Sequence, residues 1–434
     1  MRIAVVGTGI AGSLAARILA SSHEVAVFEA ASYVGGHANT VDVEIQGRHY
    51  PVDTGFMVFN NQTYPNFCRL LELIEISSQP SDMSFSVQCR RTGLEYQGSS
   101  PNGIFAQRKN LLSPRFLTML ADIWRFNRAG MLAANSGELS DQQSVGEFLA
   151  GCNVGRAFLD HYFIPMAAAI WSSTPQSVLD FPARFMIGFF ANHGLMQLKN
   201  RPQWRTILGG SRKYVHALLE PIFEKVRLNS PVERIERDED GVTVVLDDGS
   251  SERFEEVVLA CHSDQSLRML ANPTPAEREV LSSIAFHSNT AVLHTDASLL
   301  PRARRAWASW NYHIDENGRG ASVTYDVSRL QNHESPTPIL VTLNPTQTIA
   351  AHKVIRTFSY HHPAYSLETM AAQNRYSEIN NHQRTHYCGA YWGYGFHEDG
   401  VNSALSVVRN FGLNLDSCIA VSTRELSVTG AARR

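Results

Sequence analysis

Three glycines and one acid near the start of the chain have the spacing of a dinucleotide-binding loop. Gly7 allows a sharp turn, Gly9 lets the backbone approach a pyrophosphate, and Gly12 lets the following helix pack closely. The Glu29 carboxylate can accept hydrogen bonds from an adenosine ribose. The alternative is a structural glycine turn that binds nothing. The predicted contacts in this segment are Gly7, Gly9, Ile10, Ala11, Gly12, Glu29 and Ala30.

These residues need a strand, a helix and a second strand to position them. The apolar run Ile3–Val6 predicts the first strand, residues 11–20 predict a helix, and Glu24–Glu29 predicts the second strand. The helix would direct its N-terminal N–H groups and its positive dipole end at the phosphates. The sequence therefore predicts a Rossmann-like βαβ unit.

A second glycine pair indicates a flavin dinucleotide rather than a nicotinamide one. Gly35 and Gly36 precede a predicted strand at residues 41–45, and Gly55 follows it. The ribityl chain and isoalloxazine of FAD extend beyond the pyrophosphate and need backbone at close range. A Gly-Gly hairpin turn is the alternative. The predicted flavin contacts here are Gly35, Gly36, His37, Gly55 and Phe56.

Two later segments are predicted to complete the nucleotide-binding sheet. A hairpin at residues 232–246 precedes the apolar run 257–260, which is typical of a central parallel strand. A glycine-rich loop at residues 388–400 then leads into a helix at 401–411, whose dipole would stabilise negative charge on a reduced flavin. The predicted contacts from these segments are Val232, Ala260, Gly389, Gly395, Phe396, Asp399 and Gly400.

His397 and Trp171 are the candidate catalytic residues. His397 precedes the predicted flavin helix, where it could accept or relay a proton, and the alternative is a histidine bonded to loop backbone. Trp171 lies in an apolar region, residues 163–190, that would suit an acyl chain or simply form core. No metal is predicted, since the adjacent His361 and His362 would point oppositely in an extended segment.

Composition excludes some classes of protein. The 434 residues carry a formal net charge of -3, with no zinc-ligand spacing and no arginine-rich tract, so a nucleic-acid partner is not expected. Six cysteines without a CxxC pair favour a reducing cytoplasm.

Residues 114–132 mix aromatic, aliphatic and arginine side chains on a predicted helix. That helix predicts peripheral contact with the inner membrane or, alternatively, packing on a neighbouring helix.

The expected architecture is an α/β fold of two domains. A Rossmann-like FAD-binding domain would comprise discontinuous segments, residues 1–60, 205–265 and 380–434. A mixed α+β substrate domain would comprise residues 61–204 and 266–379. In the substrate domain, helices are predicted at residues 64–74, 116–128, 144–149 and 156–170, the last with a kink at Pro165. A capping box is predicted at Thr274–Glu277.

The three glycine-containing blocks resemble the flavin-containing amine oxidoreductase superfamily, which includes monoamine oxidases, protoporphyrinogen oxidase and phytoene desaturases. The resemblance implies FAD as cofactor, and Val232 would contact adenine through its backbone. Two departures stand out. His37, rather than an arginine, follows the glycine pair, so Arg205 is expected to supply the positive charge. The loop at 395–400 also lacks the threonine and tryptophan typical of amine oxidases.

A narrower resemblance spans nearly the whole chain. The segments 170–173, 204–211 and 395–400 are similar to bacterial flavoproteins encoded beside, or fused to, cyclopropane fatty acyl synthases. This implies a lipid substrate, a cyclopropane fatty acyl synthase-type partner, and oxidation or desaturation of an acyl chain by hydride transfer to flavin N5. An amine oxidase is the alternative enzyme. A non-catalytic lipid-binding protein on the same fold, like Rab escort proteins, is the alternative of another class.

Overall fold

A computed structural model describes residues 1–137, 139–197, 199, 201–316 and 322–419. The predicted nucleotide segment 380–434 therefore lies partly outside the described residues. In chain order the strands are β1 (Arg2–Val6), β2 (Glu24–Phe28), β3 (Thr40–Ile45), β4 (Arg48–Asp53), β5 (Phe59–Asn60), β6 (Ser78–Pro80), β7 (Phe85–Cys89), β8 (Leu94–Gln97), β9 (Trp204–Ile207), β10 (Val226–Arg227), β11 (Val232–Arg237), β12 (Val242–Leu246), β13 (Ser251–Phe254), β14 (Glu256–Leu259), β15 (Phe286–His294), β16 (Trp310–Ile314), β17 (Ser322–Asp326), β18 (Leu340–Leu343), β19 (Val354–Pro363) and β20 (Thr385–Tyr387).

The α-helices connect these strands and cover the sheets. In chain order they are α1 (Ile10–Leu19), α2 (Pro65–Leu73), α3 (Pro101–Ile104), α4 (Pro114–Ser136), α5 (Val145–Gly151), α6 (Arg156–Phe158), α7 (Ile164–Trp171), α8 (Ala183–Asn192), α9 (Arg212–Leu219), α10 (Ser263–Met269), α11 (Pro275–Ser282), α12 (Val327–Leu330), α13 (Leu367–Asn374), α14 (Tyr376–Ile379) and α15 (His397–Arg409).

A five-stranded parallel sheet joins three distant parts of the chain. Its strand order is β10-β2-β1-β14-β20, and every neighbouring pair runs parallel. The central strands are apolar on both faces, since Ile3, Val5 and Val258 have no exposed surface and α1 packs over them. The predicted α/β class and the assembly of this sheet from discontinuous segments are confirmed.

A seven-stranded mixed sheet forms the second layer, in the order β19-β15-β18-β17-β16-β7-β8. β7 and β8 come from the segment before residue 204, and the other five strands come from the segment after residue 266. Only the β16–β7 pair is parallel within this sheet. Two insertions therefore share one sheet, although the predicted domain boundaries remain a prediction.

The predicted helices exist with altered bounds. The helix predicted at 156–170 begins as α6 and continues into α7, and the two are joined by a π-helical turn at residues 159–163. The widened turn lies just before Pro165, which lacks an N–H donor. The predicted capping box is present, because the Thr274 side chain accepts the Glu277 N–H while the Glu277 side chain accepts the Thr274 N–H. Among the described residues, no helix combines the length and apolarity needed to cross a membrane.

Candidate functional site

The first glycine loop follows β1 and is shaped by close backbone packing. Gly7 has φ +101°, a conformation that favours glycine, and it turns the chain toward α1. A Cβ on Gly12 would lie 2.0 Å from the Gly7 carbonyl oxygen, so only glycine fits there. By contrast, a Cβ on Gly9 would meet no atom within 4 Å, because Gly9 faces a cavity.

Glu29 is fixed at the edge of this loop. Its carboxylate accepts the Thr8 N–H at 2.9 Å and the Thr8 hydroxyl at 2.5 Å, and its other oxygen accepts the Ala31 N–H at 2.9 Å. These bonds hold the carboxylate beside the glycine loop, where it also lines the cavity. Thr8 is a residue that sequence reasoning did not assign, and its place between two loop glycines was the available signal.

The second glycine pair packs directly on the first loop. The Gly35 N–H donates to the Thr8 carbonyl at 3.1 Å. A Cβ on Gly36 would lie 3.3 Å from the Gly9 Cα. Gly55 in turn packs against His37, whose carbonyl accepts the Phe56 N–H at 2.8 Å. The glycines predicted from two separate motifs therefore form one continuous backbone surface.

Helix α15 brings a second helix N-terminus to the same place. It begins at His397, four residues before the predicted start, and the Asp399 carboxylate accepts the Phe396 N–H at 2.9 Å. A Cβ on Gly400 would lie 2.7 Å from Ile10, so this glycine lets α15 approach α1 closely. Two helix N-termini next to one cavity favour a ligand that carries negative charge.

The cavity that these elements enclose has a volume of about 430 Å³. At one end it is lined by the glycine loops, and at the other by aromatic and aliphatic side chains. The second end, the apolar chamber, is formed by Ile170, Trp171, Trp310, Tyr325, Val341, Leu343, Tyr365, Tyr394 and Phe396. Within the described residues, Glu29 is the only acidic residue in the lining, and no lysine, arginine or aspartate lines the cavity.

Most of the predicted site residues line this cavity. They are Gly7, Gly9, Ile10, Ala11, Glu29, Gly35, Gly36, His37, Gly55, Phe56, Trp171, Ala260, Gly389, Gly395, Phe396 and His397. Gly12, Asp399 and Gly400 lie behind the lining, where they shape or cap the two helix N-termini. Ala30 is exposed beside Glu29, and Val232 lies in β11, so neither lines the cavity.

The structure corrects the expected position of Arg205. Its guanidinium donates to the Ser78 hydroxyl at 2.9 Å and to the Ser78 carbonyl at 2.8 Å, across the β6–β9 pair. Because these bonds keep the guanidinium on the small β5-β9-β6 sheet, Arg205 does not line the cavity. Positive charge near the glycine loops must come from another source.

Five histidines line the cavity, and four of them lie in two close pairs. The ring centroids of His37 and His362 are 5.2 Å apart, and those of His262 and His361 are 5.9 Å apart. Burial, together with a neighbouring histidine, lowers the pKa of both His37 and His262 to about 4. The His37 Nε2 atom is buried without a hydrogen-bond partner, so it is available to a ligand atom.

His397 is more enclosed than the sequence predicted. Its ring stacks on Phe56 with centroids 3.4 Å apart, and its Nε2 lies 2.8 Å from the Tyr214 hydroxyl oxygen. Burial holds the pKa of His397 well below its usual range, so the ring is neutral at neutral pH. A neutral imidazole beside the cavity can accept a proton, and the catalytic role of His397 remains a prediction.

Trp171 ends α7 and forms part of the chamber wall. Its indole N–H donates to the Tyr394 carbonyl at 3.3 Å, which ties the helix to the glycine-rich loop before α15. Its ring packs against Phe189 at 4.8 Å between centroids. Trp171 is thus both core and lining, the two alternatives that the sequence left open, and its catalytic role also remains a prediction.

Several lining residues were missed. The sequence signal for one group was the run of aromatic and histidine residues at 358–365, which the structure places at the end of β19. The unassigned side chains are Thr54, Met57, Val58, Tyr64, His262, Gln265, Phe286, Trp310, Tyr325, Val341, Leu343, Tyr360, His361, His362, Tyr365, Tyr391 and Tyr394. Within the described residues, no group of three or more possible ligands is placed to hold a metal ion.

Comparison with known proteins identifies the family. The family profile described as flavin-containing amine oxidoreductase matches residues 10–346, which is more than half of the chain. The chain belongs to the flavin-containing amine oxidoreductase family. FAD is accordingly the cofactor of this family member.

One curated relative is similar to this chain in sequence, and two solved structures share its fold. AofH of Mycobacterium tuberculosis, named as a flavin-containing monoamine oxidase, is 30% identical over 265 residues, 58% of this chain and 54% of AofH. The chain thus spans about half the length of that relative. A fatty acid isomerase from P. acnes superposes with a TM-score of 0.68 at 17% identity, covering 94% of this chain and 98% of that one. A protein from Exiguobacterium sp. 255-15, assigned as a protoporphyrinogen oxidase, superposes with a TM-score of 0.66 at 16% identity, with 94% and 98% covered.

The cavity fits FAD on geometric grounds. Gly9 leaves open space where a pyrophosphate must approach. The N-termini of α1 and α15 face the same cavity. Glu29 lies beside the loop, where its carboxylate can accept hydrogen bonds from ribose hydroxyls. The apolar chamber continues beyond the second glycine pair, where an isoalloxazine ring needs a dry environment. This family member would therefore hold the adenine nucleotide at Gly7–Gly12 and the flavin ring toward Trp171 and Phe396.

Proposed function

We propose that this chain is an FAD-dependent oxidoreductase that oxidises or desaturates a lipid acyl chain. The observation that carries the proposal is the apolar chamber, whose described lining contains aromatic and aliphatic side chains and no charged residue. A neutral hydrocarbon segment can enter such a chamber without losing hydration of a charge. The resemblance to flavoproteins encoded beside cyclopropane fatty acyl synthases supports the same substrate class.

When bound, FAD would supply a two-electron acceptor for a hydride from one acyl carbon, with the adjacent carbon giving up a proton to leave a double bond and dioxygen serving as the final oxidant. The chain's own residues provide the dry chamber and the position of the acyl chain. Trp171 and Tyr365 form part of its wall. His397, which is buried and neutral, is the candidate acceptor for the proton.

Amine oxidation is the second candidate. It is supported by the similarity to AofH and by the aromatic side chains Trp310 and Tyr325, whose rings lie 4.8 Å apart in the chamber wall and could face a cationic nitrogen. Against it, an alkylammonium ion would lose its hydration in a chamber where no described carboxylate could pair with it. The acyl-chain proposal therefore fits the lining better.

The test is anaerobic reduction of the FAD-loaded protein, followed by visible absorbance. Addition of an unsaturated phosphatidylglycerol should bleach the flavin bands, whereas 2-phenylethylamine should not. Leu343→Phe, which reduces the chamber volume, should slow bleaching by lipid at least tenfold and keep FAD bound, and Leu343→Met is the matched control. Bleaching by the amine alone would establish the second candidate. Stable FAD loading with no bleaching by either compound would overturn both proposals.

A protein that cannot be loaded with FAD would give a different result from an inactive flavoprotein. In that case, phospholipid binding without colour would indicate a non-catalytic lipid-binding protein on the same fold. Absorbance before and after denaturation measures the FAD content, so the three functions give distinguishable spectra.

A further inference from the structure

An exposed apolar surface lies on the outer side of α4 and on the turn before it. We name it the basic apolar face, formed by Leu111, Leu112, Leu117, Trp124 and Leu132 together with Arg108, Lys109 and Arg128. Leu112 is 89% exposed, Leu132 is 63% exposed and Trp124 is 59% exposed. Of the twelve large apolar side chains that are exposed in the described residues, five come from residues 111–132. Such a concentration marks an interaction surface rather than scattered surface residues.

The helix places these side chains on one face. Leu117, Trp124, Arg128 and Leu132 follow each other at helical spacing, while Phe116, Met119 and Phe126 face inward and are buried. The helix is longer than predicted, because the Ser113 hydroxyl caps the N–H of Phe116 and Gly137 ends the helix in the left-handed conformation. The outer face therefore extends over about six turns.

The charges around this surface have one sign. Residues 101–137 carry Arg108, Lys109, Arg115, Arg125 and Arg128 against a single acid, Asp122. Asp122 is buried and pairs with Arg125, so it does not offset the exposed charge. Asp141 and Asp160 are likewise paired, with Arg184 and Arg156.

We propose that the basic apolar face docks on the surface of an anionic phospholipid bilayer. The apolar side chains would enter the boundary of the acyl region, and the basic side chains would meet anionic headgroups. The guanidinium of Arg128 lies 5.8 Å from the Trp124 ring centroid, so the cation and the aromatic ring already form one unit that is typical of an interface with lipid. A second copy of this chain is a poorer occupant, because a two-fold contact would bring arginines against arginines.

The inner side of α4 connects this face to the cavity wall. Phe126 packs toward Phe190 at 6.4 Å between centroids, and Phe190 is 6.4 Å from Trp171. A separate groove of about 410 Å³ opens beside Trp124, Met131, Leu132 and Met196 on the outer side. Packed helices therefore connect the basic apolar face to the Trp171 side of the apolar chamber.

This inference deepens the proposed function, since it names the bilayer as the source of the acyl substrate, but its test does not depend on turnover. The FAD-loaded protein is sedimented with vesicles whose lipids have saturated chains, either phosphatidylcholine alone or an equal mixture with phosphatidylglycerol. We expect binding to the anionic vesicles that falls as salt is raised. The double variants Leu112→Ser with Trp124→Ser, and Lys109→Glu with Arg128→Glu, should each weaken binding at least tenfold.

Two control variants carry the same chemical changes elsewhere. Phe223→Ser removes an apolar side chain that is 52% exposed outside α4, and Arg278→Glu reverses an exposed charge on α11. Both controls should bind vesicles like the unmodified protein, and all variants should retain FAD. Equal binding by the α4 variants, or no binding of the unmodified protein, would overturn the proposal. A dimer that dissociates in Leu112→Ser with Trp124→Ser would assign the face to self-association instead.

Discussion

Tyr214 and His397 form a buried pair, with the phenol oxygen 2.8 Å from the imidazole Nε2. Tyr214 lies in α9, and His397 is the first residue of α15 and lines the cavity. Burial raises the pKa of Tyr214 well above its usual value and lowers that of His397 well below, so both groups are neutral at neutral pH. Transfer of a proton within this neutral pair would create a phenolate beside an imidazolium, which burial disfavours, so the bond to Tyr214 holds the His397 ring in one orientation.

Replacing His397 tests its catalytic role. His397→Gln keeps a hydrogen-bonding group toward Tyr214 but removes the ring that can take up a proton. We expect FAD content to be unchanged and substrate-driven bleaching to slow by about 10²-fold, within the usual range for loss of general acid–base catalysis. Stopped-flow absorbance measures this rate. Tyr214→Phe keeps the imidazole and should have a smaller effect. Unchanged bleaching in His397→Gln would show that the ring has only a packing role.

Two glycines of the first loop should respond differently to substitution. Gly9→Val should fold normally, since no atom lies within 4 Å of the added Cβ, but the side chain would occupy the pyrophosphate position and abolish FAD loading. Gly12→Val should destabilise the protein itself, because the Cβ would overlap the Gly7 carbonyl. Thermal unfolding separates the two effects. Gly151→Val adds a side chain at an open glycine on α5 and controls for bulk alone.

Glu29→Gln should weaken FAD binding without unfolding the chain. The amide retains one acceptor oxygen, yet its NH₂ group would face one of the two N–H donors, Thr8 or Ala31, which bond different oxygens of the carboxylate. Loss of a hydrogen bond to a charged group costs about 1.5–3 kcal/mol, so the FAD dissociation constant should rise roughly 10- to 100-fold. Quenching of flavin fluorescence gives this constant. Glu24→Gln, an exposed change on the same strand, should leave it unaltered, and an equal loss in both variants would contradict the ribose assignment.

Stability should fall in mild acid because of two core histidines. His313 bonds Gln88 and Thr324, His294 bonds Thr342, and burial lowers the pKa of each to about 4. The unfolded chain binds these protons first, so the stabilisation is complete above pH 6.5 and is lost as the pH falls through about 4. Each histidine can contribute up to about 3 kcal/mol.

The measurement is the difference in melting temperature between pH 7 and pH 4.5 for the protein and for His313→Asn. Asp53 has the opposite effect on stability. Burial raises its pKa to about 6, so its contribution to stability is lost as the pH rises through that value. Asp53 is unchanged in both proteins, so the difference between their melting-temperature shifts reports the contribution of His313. We expect a smaller acid shift in His313→Asn, and no change in the shift for the exposed His382→Asn. Identical shifts in all three proteins would refute the assignment.

The nucleotide end of the site could be predicted because its chemistry is local. The spacing of Gly7, Gly9 and Gly12, and the pair at residues 35–36, report backbone geometry that only glycine allows. Each of these segments also contains the strand or helix that positions its glycines. Helix α15 begins four residues earlier than predicted. The Phe396 N–H donates to the Asp399 carboxylate, and this bond caps the N-terminus at the earlier position.

The apolar chamber could not be predicted because its wall is assembled by tertiary pairing. Trp310 and Tyr325 become neighbours only when β16 pairs with β17, and Val341 joins them through β18. Arg205 was expected at the pyrophosphate on charge alone, but the pairing of β9 with β6 brings it to Ser78. Such registers depend on the whole sheet rather than on any local motif.

The order of strands in the nucleotide-binding sheet also determines when FAD can bind during synthesis. β1 pairs with β14 through Ile3 and Glu256, and β14 pairs with β20 through Val257 and Thr385. Contacts this distant in sequence are slow to form, and they leave unpaired strand edges exposed in the growing chain. Because α15 follows β20, its N-terminus is made after all five strands of this sheet. FAD therefore cannot guide the early stages of folding, and we expect the nascent chain to depend on chaperones until β20 is translated.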